Sequence, residues 1–74
     1  MVKAEIEKYI LYNYPDVKSE WVGEKGNEAQ YLYVPKGLMP EISEFVRDNE
    51  CIVSTLGDWN KDIDYEAIKI VGRA

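Results

Sequence analysis

A nine-residue pattern, Glu-Ile-x-x-aromatic-aliphatic-x-x-Asn, is written twice along this chain, 36 residues apart. It occurs as Glu5, Ile6, Tyr9, Ile10 and Asn13, and again as Glu41, Ile42, Phe45, Val46 and Asn49. In each copy the apolar residues sit at i, i+3 and i+4, the spacing that gathers side chains on one face of a helix. Each copy leads to a valine, Val17 or Val53, and later to a short alternating apolar run. Those runs are Tyr31-Leu32-Tyr33-Val34 and, one residue out of step, Ile68-Lys69-Ile70-Val71. The pattern points to a tandem duplication of one helix–strand–strand unit, with repeat-like halves at 2–35 and 38–72.

Local signals fill in the elements. A helix is predicted over 2–13, with Val2, Ile6, Tyr9, Ile10 and Asn13 on its inner stripe. Pro15 ends it by pushing Tyr14 out of the α region. From Val17 to Val22 the residues alternate, Val17, Ser19 and Trp21 on one face and Lys18, Glu20 and Val22 on the other, as in a half-buried strand. Gly23 to Asn27 reads as a hairpin loop. The second strand, Ala29 to Val34, is apolar on both faces, like one covered on both sides or one that offers its outer face to a partner.

Pro35-Lys36-Gly37 interrupts the sheet, and a second helix begins near Leu38–Pro40, where proline fits the first turn. It ends at Asp48-Asn49-Glu50. Cys51 to Leu56 is the third strand, and Gly57 to Asp62 a polar turn carrying an exposed Trp59. Tyr65 to Val71 fits two patterns. Ile63, Ala67, Ile70 and Val71 would share a helical face, with Asp62 and Gly72 as caps. The alternation of Ile68 and Ile70, and its match to the first copy, favour a strand, which is the reading adopted.

The order is therefore α-β-β-α-β-β. The economical arrangement is an α+β two-layer sandwich: a four-stranded, mainly antiparallel sheet with two helices on one face. Residues 1–74 make a single domain, since a chain this short has no room for two cores.

Composition excludes more than it assigns. There is no histidine, so neither Ser-His-Asp nor Cys-His catalysis can be assembled within the chain. No glycine-rich phosphate loop is present, and no cofactor is expected. The single cysteine, Cys51, precludes an internal disulfide and a four-thiolate zinc site. Beside Ile52 and Val53 it reads as a small buried hydrophobe, in keeping with a reducing, cytoplasmic setting. No apolar stretch is long enough to cross a bilayer, so no membrane insertion is expected. Net charge is −5 and the bases are scattered, which argues against nucleic acid as the partner.

Two segments carry candidate sites. In Asp58-Trp59-Asn60-Lys61-Asp62-Ile63-Asp64-Tyr65-Glu66, oxygen side chains recur at every second position, as at the start of a calcium loop. The pattern then departs from that loop, with Ile63 where glycine is needed and Lys69 where the bidentate Glu belongs. Asp58, Asn60, Asp62 and Asp64 are the candidate divalent-cation ligands, against the plainer reading of a solvated acidic turn that blunts a sheet edge. The aromatics Trp21, Tyr31, Tyr33 and Trp59 are the candidate interaction residues. Trp21, Tyr31 and Tyr33, on adjacent strands, would also suit single-stranded nucleic acid as a stacking platform, although the repeat equates Tyr31 and Tyr33 with the core-like Ile68 and Ile70. The expected function is that of a small non-enzymatic protein-interaction or scaffold module, with an unidentified protein partner or a second copy as a homo-oligomer. A divalent-cation (calcium-type) domain and a nucleic-acid-binding domain are the alternatives.

Overall fold

The first helix, α1 (Lys3–Asn13), stops two residues short of Pro15, and Tyr14 takes φ −125° and ψ 83°, outside the α region, as the following proline requires. The computed structural model describes residues 1–72. After α1 come β1 (Lys18–Glu24) and β2 (Asn27–Pro35), a short 3-10 turn (Lys36–Leu38), α2 (Met39–Asp48), β3 (Cys51–Trp59) and β4 (Asp62–Gly72). The strands are longer than the sequence patterns indicate and the hairpin turns tighter. Tyr65 to Val71 is extended throughout.

The sheet runs β1-β2-β4-β3, and every neighbouring pair is antiparallel. Leu32 of β2 pairs directly with Ile68 of β4, so the two side chains project from the same side of the sheet. With Val34 and Ile70 they meet Ile6 and Ile10 of α1 and Ile42 and Val46 of α2 in one buried cluster. Each of these eight side chains is fully buried. Tyr9 of α1 stacks on Phe45 of α2 with ring centroids 4.5 Å apart. Both helices therefore lie on one side of the sheet.

Several residues 36 apart meet or occupy like positions. Tyr9 meets Phe45, and Leu32 pairs with Ile68. The hairpin registers agree too, with Ser19 opposite Leu32 and Thr55 opposite Ile68. The last residue of the sequence pattern acts alike in both helices: Asn13 Nδ2 donates to the Tyr9 carbonyl at 2.9 Å, and Asn49 Nδ2 to the Phe45 carbonyl at 2.9 Å. Each adds a side-chain donor to a backbone carbonyl one turn back, near the end of its helix.

This register corrects one expectation. The positions matching Ile68 and Ile70 are Leu32 and Val34, not Tyr31 and Tyr33, so the two apolar runs are in step. Strand alternation then sends Tyr31 and Tyr33 to the side away from the helices.

The β3–β4 pairing is less regular than the β1–β2 pairing. Between Thr55 and Gly57 the β3–β4 register shifts, leaving Leu56 as an extra residue on β3. Gly57 there has φ 104°, a conformation that side chains other than glycine rarely adopt. In the first hairpin, Gly23 has φ 124°, and a Cβ at that position would lie 2.8 Å from the Asn27 carbonyl oxygen. Only glycine fits there.

Candidate functional site

The helices cover one face of the sheet; among the described residues nothing covers the other. An antiparallel sheet with one wet face ordinarily alternates apolar residues inward with polar residues outward. Here β2 and β4 break that rule. The outward positions of β2 include Ala29, Tyr31, Tyr33 and Pro35, and those of β4 include Tyr65, Ala67, Lys69 and Val71. On the flanking strands, Val22 pairs with Ala29 and Ile52 with Val71. Ile52 is 56% exposed and Val71 38%, so this corner of the face is open apolar surface.

At the opposite end the aromatics close over one another. Trp59 lies flat on Tyr33, with centroids 4.4 Å apart and planes 11° from parallel. Tyr65 meets the edge of Trp59 at 5.4 Å. Trp59 is thus half-buried, where the sequence suggests an exposed turn residue, because the register shifts along β3 bring it back across the sheet. Tyr33 is buried beneath it, and its hydroxyl donates to Glu20 Oε1 at 2.7 Å. Burial, then the hydrogen bond to the Glu20 carboxylate, push the Tyr33 phenol up to about 12. Tyr33 remains a neutral donor at any ordinary pH, a positioning group without acid–base reach.

The four aromatics named by the sequence do not form one site. Tyr33 and Trp59 stack on each other, and Tyr31 lies two residues along the same face. Trp21 pairs with Gln30 and points to the helix side of edge strand β1, 62% exposed. A base-stacking platform of Trp21, Tyr31 and Tyr33 is therefore not assembled: Trp21 shares the face of its partner Gln30 and of Leu32, and alternation along β2 puts Tyr31 and Tyr33 on the other. Tyr65, the missing member of the cluster, was masked in sequence by its place in an acidic run.

The first residue of that acidic segment pairs with a lysine. Asp58 Oδ1 lies 2.7 Å from Lys36 Nζ. This bond, together with the charges of Glu66 and Asp64, holds the Lys36 ammonium above its usual range. Asp62 Oδ1 accepts the backbone N–H of Asp64 at 3.0 Å, an ordinary turn contact. Asn60 is exposed in the hairpin turn. Among the described residues, no three His, Cys, Asp or Glu side chains are grouped so as to hold a metal ion.

The remaining reactive groups are dispersed. Cys51 is buried in the core cluster. Tyr14 donates its hydroxyl to Glu41, tying the end of α1 to the start of α2. That bond, more than burial, raises the Tyr14 phenol above its usual range. A shallow concavity between the N-terminus and the α2–β3 turn is lined by Met1, Val2, Asn49, Glu50 and Cys51 among others, with no converging set of reactive groups. No described helix is long and apolar enough to cross a membrane. Comparison with protein-family models, with curated proteins and with solved structures found no match to this chain.

Proposed function

We propose that this protein is a non-enzymatic interaction module that binds a protein surface through the uncovered face of its sheet. One observation carries the reading: the outward side of β2 and β4 is aromatic and aliphatic where a water-facing sheet would be polar. Tyrosine and tryptophan are the residues most enriched at interface anchors. Trp59 and Tyr33 are already fixed by stacking and by the Glu20 hydrogen bond, so little rotamer freedom remains to be lost on binding. The absence of histidine in the sequence and the dispersal of carboxylates around Lys36 favour a scaffold over a catalyst. The buried lone thiol suits a reducing cytoplasm.

A tandem duplication is the matching reading of the architecture, supported by the shared hairpin registers and the Tyr9–Phe45 contact. The halves agree on the helix side, where Leu32 matches Ile68 and Val34 matches Ile70. They differ on the outer side, where Tyr33 matches Lys69 and Tyr31 matches Ala67. The difference falls on the face assigned to binding.

The test compares baits in a cell lysate. Proteins retained by the wild type should be lost with Ile52→Lys and kept with Tyr12→Lys, a control on the far side of α1 where Tyr12 is 88% exposed. Retention of the same proteins by all three baits, or loss with the control alone, overturns the assignment.

A further inference from the structure

We infer that the partner of the uncovered face is a second copy of this chain, stacked face to face across a two-fold axis. The inference rests on the interaction reading above and adds the identity of the occupant. Charge is the first argument. The chain carries a net −5, so two copies repel unless they meet where that excess is absent. Among the described residues, strand alternation puts only Lys18, Lys69, Glu20 and Glu24 of the charged side chains on the outer face, two of each sign. The whole acidic excess therefore lies on the helices, the loops and the helix side of the strands. A strongly basic partner would be drawn to those surfaces, leaving the outer face to a partner as neutral as itself. A second copy meets that description without further assumption.

Size and preorganisation agree. Four strands of 7, 9, 9 and 11 residues span roughly 19 by 30 Å in projection. Side-chain relief raises the accessible area of such a face toward the roughly 600–800 Å² per partner of the smaller specific interfaces. Contacts between two identical patches are isologous, so each favourable contact off the axis is made twice. The Tyr33–Trp59 stack supplies a rigid aromatic anchor to each copy, and Ile52 with Val71 supplies exposed aliphatic surface.

The experiment is sedimentation equilibrium of the full chain from submicromolar to submillimolar concentration. It is paired with Trp59 emission in a Trp21→Phe background, which leaves Trp59 as the only tryptophan of the two. Expected is a monomer–dimer equilibrium, with Trp59 emission moving to the red on dilution as the face is exposed. Tyr31→Lys places two ammonium groups in the contact and should weaken dimerisation by about 100-fold or more, because the substitution enters twice. Trp21→Lys, on the other side of β1, should leave it unchanged. A protein monomeric at every concentration overturns the inference, as does a dimer indifferent to Tyr31→Lys or one whose Trp59 emission ignores dilution. A monomer that still loses captured proteins on Ile52→Lys defeats self-association alone; a monomer whose captures ignore the face defeats both readings.

Discussion

Glu7 is the one charged side chain buried among the described residues, 5% exposed, and its Oε2 has no hydrogen-bond partner. Burial raises its carboxyl above the ordinary carboxylate range, opposed in part by the Lys3 ammonium. Glu7→Gln keeps the shape of the side chain and removes the charge. A buried polar group without a partner costs about 1–3 kcal/mol, and more when charged, while the new amide needs a partner of its own. The net expectation is a stabilisation of about 1–2 kcal/mol at pH 7. For a domain of this size that is a rise in melting temperature of roughly 4–16 °C.

The pH dependence fixes the cause. A carboxyl whose folded pKa is raised contributes stability that is fully present below its unfolded value, ordinarily 4.5, and is lost as pH rises through the folded value. Glutamine has no such dependence. The advantage of Glu7→Gln should therefore be negligible at pH 3.5, open as pH rises above 4.5, and be complete once pH has passed the raised folded value. Urea unfolding followed by tryptophan fluorescence and far-ultraviolet circular dichroism at several pH values reads the difference directly. Using the difference between the two proteins cancels the titration of the other carboxylates. A variant with unchanged urea dependence that is less stable at pH 7, or whose advantage is the same at pH 3.5 and 7, would rule out a buried charge at Glu7 as the cause.

Three further outcomes are expected. Tyr33→Phe should cost about 1 kcal/mol at pH 7 by removing the bond to Glu20. Because the Tyr33 phenol is raised to about 12 from 10.0, that contribution should persist to pH 10 and fade as pH rises through 12, measured by urea unfolding at each pH. Glu50→Gly should stabilise by about 0.5–1 kcal/mol, since Glu50 holds φ 64° just after α2, where glycine carries no Cβ penalty; a lower melting temperature would count against this. Cys51, buried in the core cluster, should resist a thiol reagent in native buffer and react at once in denaturant; prompt native labelling would show that the β3 end opens.

The helices were legible because Ile6, Ile10, Ile42 and Val46 announce themselves at helical spacing, and Pro15 and Pro40 mark where one helix stops and the other starts. The extended state of Tyr65 to Val71 was the harder case, since the same residues fit a helical face. Pairing with β2 and β3 settled it, a tertiary contribution that local pattern does not contain. The outer face was half legible. Tyr31 and Tyr33 stood out, but equating them with Ile68 and Ile70 sent them inward, an error of one residue that flips a strand from one side to the other. Tyr65 and the inward swing of Trp59 were not legible at all. Tyr65 is placed by the pairing of β4 with β2 and Trp59 by register shifts along β3, and a one-residue bulge has little signature beyond a glycine such as Gly57. The acidic segment misled for the opposite reason: its cation is Lys36, more than twenty residues away in sequence.

The extra residue at Leu56 has a consequence for orientation. Past that extra residue the first hairpin has Val22 where the second has Trp59, so an aromatic lid sits over one end of the outer face and none over the other. The two ends of the outer face are therefore unlike, one lidded and one bare. A partner docked there would meet a head and a tail, and one wedge of backbone is enough to tell it which way to lie.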